Sequence, residues 1–85
     1  MQRFNKRVDL LVEKIDEEIV IYDPQTHHIH HLNPMATIVW ELCDASQSPQ
    51  EITREIVDAL KADPSAVEKD VLETLSQFQK KGLVE

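Results

Sequence analysis

The residues best suited to chemistry sit close together. All four histidines of the 85-residue chain fall within His27-His28-Ile29-His30-His31, and Asp23 is the obvious carboxylate nearby. Two histidines at i and i+2 of an extended segment share a face, and imidazole suits zinc, nickel or copper. Yet a closed zinc site needs four ligands, and no Cys-x-x-Cys pair accompanies these. The cluster therefore reads first as a tolerant polar strand, next as a surface that contacts a partner directly, and last as a metal site. Neutral imidazole can both stack and hydrogen-bond. Neither metal nor cofactor is expected.

Other catalytic candidates are weak. Cys43 ends an apolar stretch and reads as a small buried hydrophobe rather than a nucleophile. Acidic residues are plentiful, but no spacing sets two of them over a cleft. Gly82 is the single glycine, which excludes a glycine-rich phosphate loop. Trp40 lies in a helix apolar on nearly every side and reads as a core anchor. An enzyme is not expected.

Charge narrows the partners. The formal net charge is −7, and the nine basic residues are scattered from Arg3 to Lys81 with short pairs at Lys6-Arg7 and Lys80-Lys81. Such a surface is repelled by nucleic acid and anionic membranes. No apolar run approaches membrane-spanning length, no apolar signal region follows the basic first residues, and Cys43 is the lone cysteine. The cytoplasm is the expected location.

The elements that must position these residues follow from periodicity. Residues 1–7 read as a loose end. Val8, Leu10 and Val12 alternate with Asp9, Leu11 and Glu13 as in a strand. After a polar turn at Asp16-Glu17-Glu18, the run Ile19-Val20-Ile21-Tyr22 predicts a second strand. Asp23-Pro24 opens a turn, and residues 27–32 form a third. Asn33-Pro34 offers an N-cap and a first-turn proline for a helix over 34–44. Ser48-Pro49-Gln50-Glu51 is a capping box opening a helix over 49–61, and Ser65 to Glu68 reads as another opening a helix over 65–81. Gly82 fits a left-handed C-cap. The expectation is one α+β domain over 1–85, an antiparallel three-stranded sheet within 8–32 followed by three helices.

The ordered set Ile19 to Tyr22, Asp23-Pro24-x-Thr26, Leu32-Asn33-Pro34, Ala36, Ile38, Trp40-Glu41-Leu42, Glu51-Ile52, Asp70-Val71-Leu72, Leu75 and Gly82-Leu83 resembles the PqqD family over about residues 8–85. The resemblance implies a winged helix-turn-helix-like fold. It also implies recognition of the leader segment of a ribosomally made precursor peptide. That leader is presented to a modifying enzyme such as a radical S-adenosylmethionine enzyme, a cyclase or a leader peptidase. Many relatives carry glycine or aromatic residues where this chain has its histidines.

An open sheet edge can take an extended peptide as a further strand. The resemblance points to the third strand as that edge and the third helix as the opposite wall. The peptide-binding candidates are then His27, His28, Ile29, His30, His31 and Leu32 on the strand, with Val67, Asp70, Val71 and Thr74 on one helical face. Leu75 and Phe78 read as core, whereas Val67 and Val71 read equally as core or rim. The rivals are a winged-helix nucleic-acid binder, a metal-responsive adaptor and a structural subunit of an enzyme complex. Against the first, Lys69, Lys80 and Lys81 are cancelled by Glu68, Asp70 and Glu73 in the helix that would read DNA. An unpaired edge also permits a homodimer.

Overall fold

A computed structural model describes residues 4–43 and 47–85. Its elements run β1 (Leu11–Ile15), β2 (Glu18–Asp23), β3 (His28–His31), α1 (Pro34–Leu42), α2 (Pro49–Leu60) and α3 (Pro64–Lys80). The sheet is antiparallel in the order β1-β2-β3, so β1 and β3 are both edges. The three strands and three helices expected from the sequence are all present. The expected end of the first helix at residue 44 lies outside the described residues.

The middle strand carries the sheet's buried face. Ile19, Ile21 and Asp23 are buried in alternation with Glu18, Val20 and Tyr22, the pattern of a strand with one face on a core. Thr37 of α1 fastens that face. Its hydroxyl accepts the Ile19 N–H at 3.0 Å and donates to the Leu32 carbonyl at 3.3 Å, so one buried side chain ties α1 to β2 and to the end of β3.

The first strand differs from expectation. Val8 is fully exposed in a turn, Leu10 is buried before the strand begins, and β1 is exposed along its whole length. Hairpin geometry causes the shift. Asp16 adopts a left-handed φ of 57°, making a two-residue turn that pairs Ile15 with Glu18 and fixes the register back to Leu11. His27 is likewise not part of the third strand. It sits at φ 61° in the β2–β3 turn and donates its N–H to the Asp23 carbonyl at 2.8 Å.

The helix starts follow their caps. Asn33 accepts the Ala36 N–H at 2.8 Å, and Ser48 and Glu51 form the reciprocal box predicted for α2. The start of α3 is a correction. Asp63, not Ser65, is the N-cap, because Pro64 takes the first helical position and leaves the residue before it extended. At the far end Leu83 donates its N–H to the Phe78 carbonyl at 2.9 Å with Gly82 at φ 72°, a Schellman closure that needs the glycine. Trp40 and Phe78 meet edge to face at 5.3 Å between ring centroids, and both are buried between α1 and α3. Such a pair is worth roughly 0.5–1.5 kcal/mol beyond its buried area.

The N-terminal segment expected to be loose is fastened from Phe4 onward. Phe4 is buried, Lys6 bridges Val84, and Glu85 donates its N–H to the Asn5 carbonyl at 2.7 Å.

Candidate functional site

The site is built around the free side of β3. Among the described residues, the backbone of β3 lies close to that of β2 and to no other element. The ladder's alternation shows which groups are left over. Leu32 donates its N–H to Ile19, so the hydrogen-bonded pairs of β3 are Leu32–Ile19, His30–Ile21 and His28–Asp23. The N–H and C=O groups of Ile29 and His31 therefore point outward, to the open edge.

Side chains on β3 divide between two faces. Ile29 and His31 stand on the outer face of the sheet, where Ile29 is 61% exposed. His28 and His30 stand on the inner face, beside the helices. Leu32 is also inward and belongs to the core. His27 lies away from this row, with its Nδ1 3.0 Å from the Tyr22 hydroxyl.

The four helical candidates lie on α3. Val67, Val71, Leu75 and Phe78 form its buried stripe. Val67 and Val71 are thus core, at 3% and 0% exposure, and offer no exposed rim. Asp70, Thr74, Gln77 and Lys81 follow at i, i+4, i+7 and i+11 along one flank of that stripe. Lys81 is close enough to His30 to act on it electrostatically. Of the four helical candidates, Asp70 is exposed and Thr74 half-buried. Gln77 and Lys81 extend the row beyond the sequence candidates.

One end of the gap is clamped. Arg7 donates to both carboxylate oxygens of Asp23 at 2.7 and 3.1 Å, to both of Asp9 at 3.1 and 2.6 Å, and to the Gly82 carbonyl at 3.0 Å. Asp23 is 1% exposed and also accepts the Gln25 N–H at 2.9 Å. The guanidinium hydrogen bonds hold the Asp23 carboxyl down to about 2, and they lower Asp9 too. This network joins the N-terminal segment, the β2–β3 turn and the end of α3, and so sets the spacing between strand and helix.

His30 is electrostatically perturbed. Burial, and then the neighbouring Lys81 and His28, push its pKa below the ordinary value against a weaker pull from Asp23. Its Nε2 is sealed from solvent and has no hydrogen-bond partner. Cys43 is buried in the core, its thiol 3.7 Å from the Phe4 carbonyl. Among the described residues no three His, Cys, Asp or Glu side chains gather as a metal site would require.

Fold and edge together define a class of small domains that keep one strand of a three-stranded sheet open beside a helix. Coenzyme PQQ synthesis protein D (PqqD) is the family that matches, over residues 18–84, and the chain belongs to it. Among solved structures, TbiB1 in complex with the TbiA(beta) leader peptide is 26% identical, with a TM-score of 0.84 over 95% of this chain and 94% of that one. Two more share the fold. Lasso peptide synthetase B1 complexed with the leader peptide is 17% identical, with a TM-score of 0.85 over 99% of each chain. The PqqD truncation of Methylobacterium extorquens PqqCD, a functional and stand-alone RiPP recognition element, is 20% identical, with a TM-score of 0.78 over 96% of this chain and 87% of that one. No curated protein matches significantly.

Proposed function

We propose that the chain is a non-catalytic module that captures the leader segment of a ribosomally made precursor peptide and presents it to a modifying enzyme in the cytoplasm. The leader adds as a fourth strand on β3, against Ile29 and His31, and runs past Asp70 and Thr74 of α3 with Val67 and Val71 beneath. The observation that carries this reading is the outward-pointing, unpaired backbone of β3. It lies beside a polar helix flank, in a fold whose 26%-identical relative is solved with a leader peptide bound.

The energetics fit a transient hand-over. Main-chain pairing supplies affinity with little sequence demand, and a few anchored side chains supply selectivity. Micromolar affinity needs about 8 kcal/mol net of ordering costs, within reach of a short strand with two or three anchors. The test is calorimetric titration with a synthetic leader of the precursor peptide encoded nearest the gene. Micromolar binding that Ile29→Pro weakens about thirtyfold is the expected result. Tight binding to duplex DNA at modest salt, with no peptide binding, would establish the winged-helix reading instead.

A further inference from the structure

The inward face of β3 carries two histidines where a strand packed on helices ordinarily carries apolar side chains. His30 is paired with Ile21 and His28 with Asp23, and both partners are buried. The two imidazoles meet edge to face at 6.2 Å between centroids. His30 is half-buried, and its Nε2 lacks a partner. Lys81, just past the end of α3, acts electrostatically on His30.

Among the described residues none of these three bases is in a salt bridge. Asp23 is the acid that acts on His30, and it is already engaged by Arg7 through both oxygens and by the Gln25 amide. A chain of net charge −7 thus keeps a small cluster of basic side chains on the inner side of β3, while the exposed Asp70 lies farther along α3. A buried polar atom without a partner is costly, and so is crowding of like charges. Both costs fall if a carboxylate enters.

Resting on the leader-capture reading, we propose that His28, His30 and Lys81 form a subsite for an acidic side chain, Asp or Glu, of the strand bound on β3. A peptide paired with Ile29 and His31 turns alternate side chains to the inner face. There its Cβ atoms come within about 4.5–5.5 Å of those of their cross-strand partners. An Asp or Glu there accepts N–H bonds from the imidazoles and the charge of Lys81. The last torsion of histidine is soft, so the His30 ring can turn its orphan nitrogen to the gap. Charge-assisted bonds of this kind are about twice as strong as neutral ones.

Proton uptake follows from the same geometry. In the free protein Lys81 and His28 oppose a proton on His30, whereas a bound carboxylate favours one. The bound state then has the higher His30 pKa, and affinity rises as pH falls through that value. Asp23 stays ionised across this window because Arg7 holds it low.

A random peptide library displayed on phage and selected on the full chain tests this. Enriched peptides are expected to share an Asp or Glu at one fixed position. Changing that acid to its amide should weaken binding about tenfold, and less than about twofold in a His28→Ala, His30→Ala, Lys81→Ala variant. Wild-type affinity should rise several-fold between about pH 8 and about pH 6, and that of the variant should not. His30→Gln, nearly isosteric and checked for folding by circular dichroism, should show a smaller pH response than the wild type. Enrichment without an acidic position, an acid preference that survives the triple variant, or binding that requires added zinc would overturn the subsite and leave leader capture standing. Enrichment of no peptide at all would overturn both.

Discussion

The two edges of the sheet are built differently. Alternation along the ladders turns Val12 and Lys14 outward on β1, as it turns Ile29 and His31 outward on β3. On β1 the outward row includes a lysine, held 3.2 Å from Glu41 of α1. A charge on an edge strand discourages another strand from pairing there. On β3 the outward row is an isoleucine and a histidine. The two edges thus differ in the charge they present to an incoming strand, and the proposed leader site is the edge without a lysine.

The comparison has a shared support, and removing it gives the largest effect. Trp40 packs on Phe78 under the whole helical layer, so Trp40→Ala should cost about 3–5 kcal/mol in urea unfolding. A loss below about 1 kcal/mol would mean the layer does not depend on that ring.

A matched pair of prolines separates the edges. Each removes one outward N–H and no ladder hydrogen bond, so both variants should stay folded by circular dichroism. Ile29→Pro should weaken leader binding by on the order of 2 kcal/mol, about thirtyfold, whereas Val12→Pro should leave it within about twofold. The reverse order in a titration would move the site to β1.

The clamp that spaces β3 from α3 should show in acid. Asp23 titrates at about 2 in the folded chain, below its ordinary value of 3.8. The unfolded chain therefore binds the proton more readily. The clamp's contribution is complete above about pH 4 and is lost as pH falls toward about 2. Asp23→Asn should flatten the stability profile in that window, as measured by urea midpoints at successive pH values. The smallest effect is expected at the rim. Asp70→Lys should shift leader affinity by about threefold, with the shift shrinking as salt is raised.

Much of this architecture is legible in the sequence, for physical reasons. Caps and prolines declare helices, so α1 and α2 start where Asn33-Pro34 and Ser48-Pro49 place them. For α3, Asp63 and Ser65 compete as caps, and Pro64 decides for Asp63. β1 is misread because it has no buried face, so its alternation carries no signal, while Leu10 is buried outside the strand. The clamp escapes because Arg7 and Asp23 lie sixteen positions apart in sequence. The helix rim is half-legible. Periodicity puts Val67, Asp70, Val71 and Thr74 on one broad face, but not which flank turns to the strand. The electrostatic effect of Lys81 on His30 links the end of α3 to β3, a link that periodicity does not show.

The most direct test of leader capture on β3 is residue-resolved amide hydrogen exchange, with and without saturating leader peptide. Outward amides of a free edge exchange quickly, and pairing protects them. The account predicts at least about tenfold protection at Ile29 and His31, with Val12 and Lys14 unchanged. Protection at Val12 and Lys14, or confined to α2, with Ile29 and His31 still exchanging freely, would contradict it.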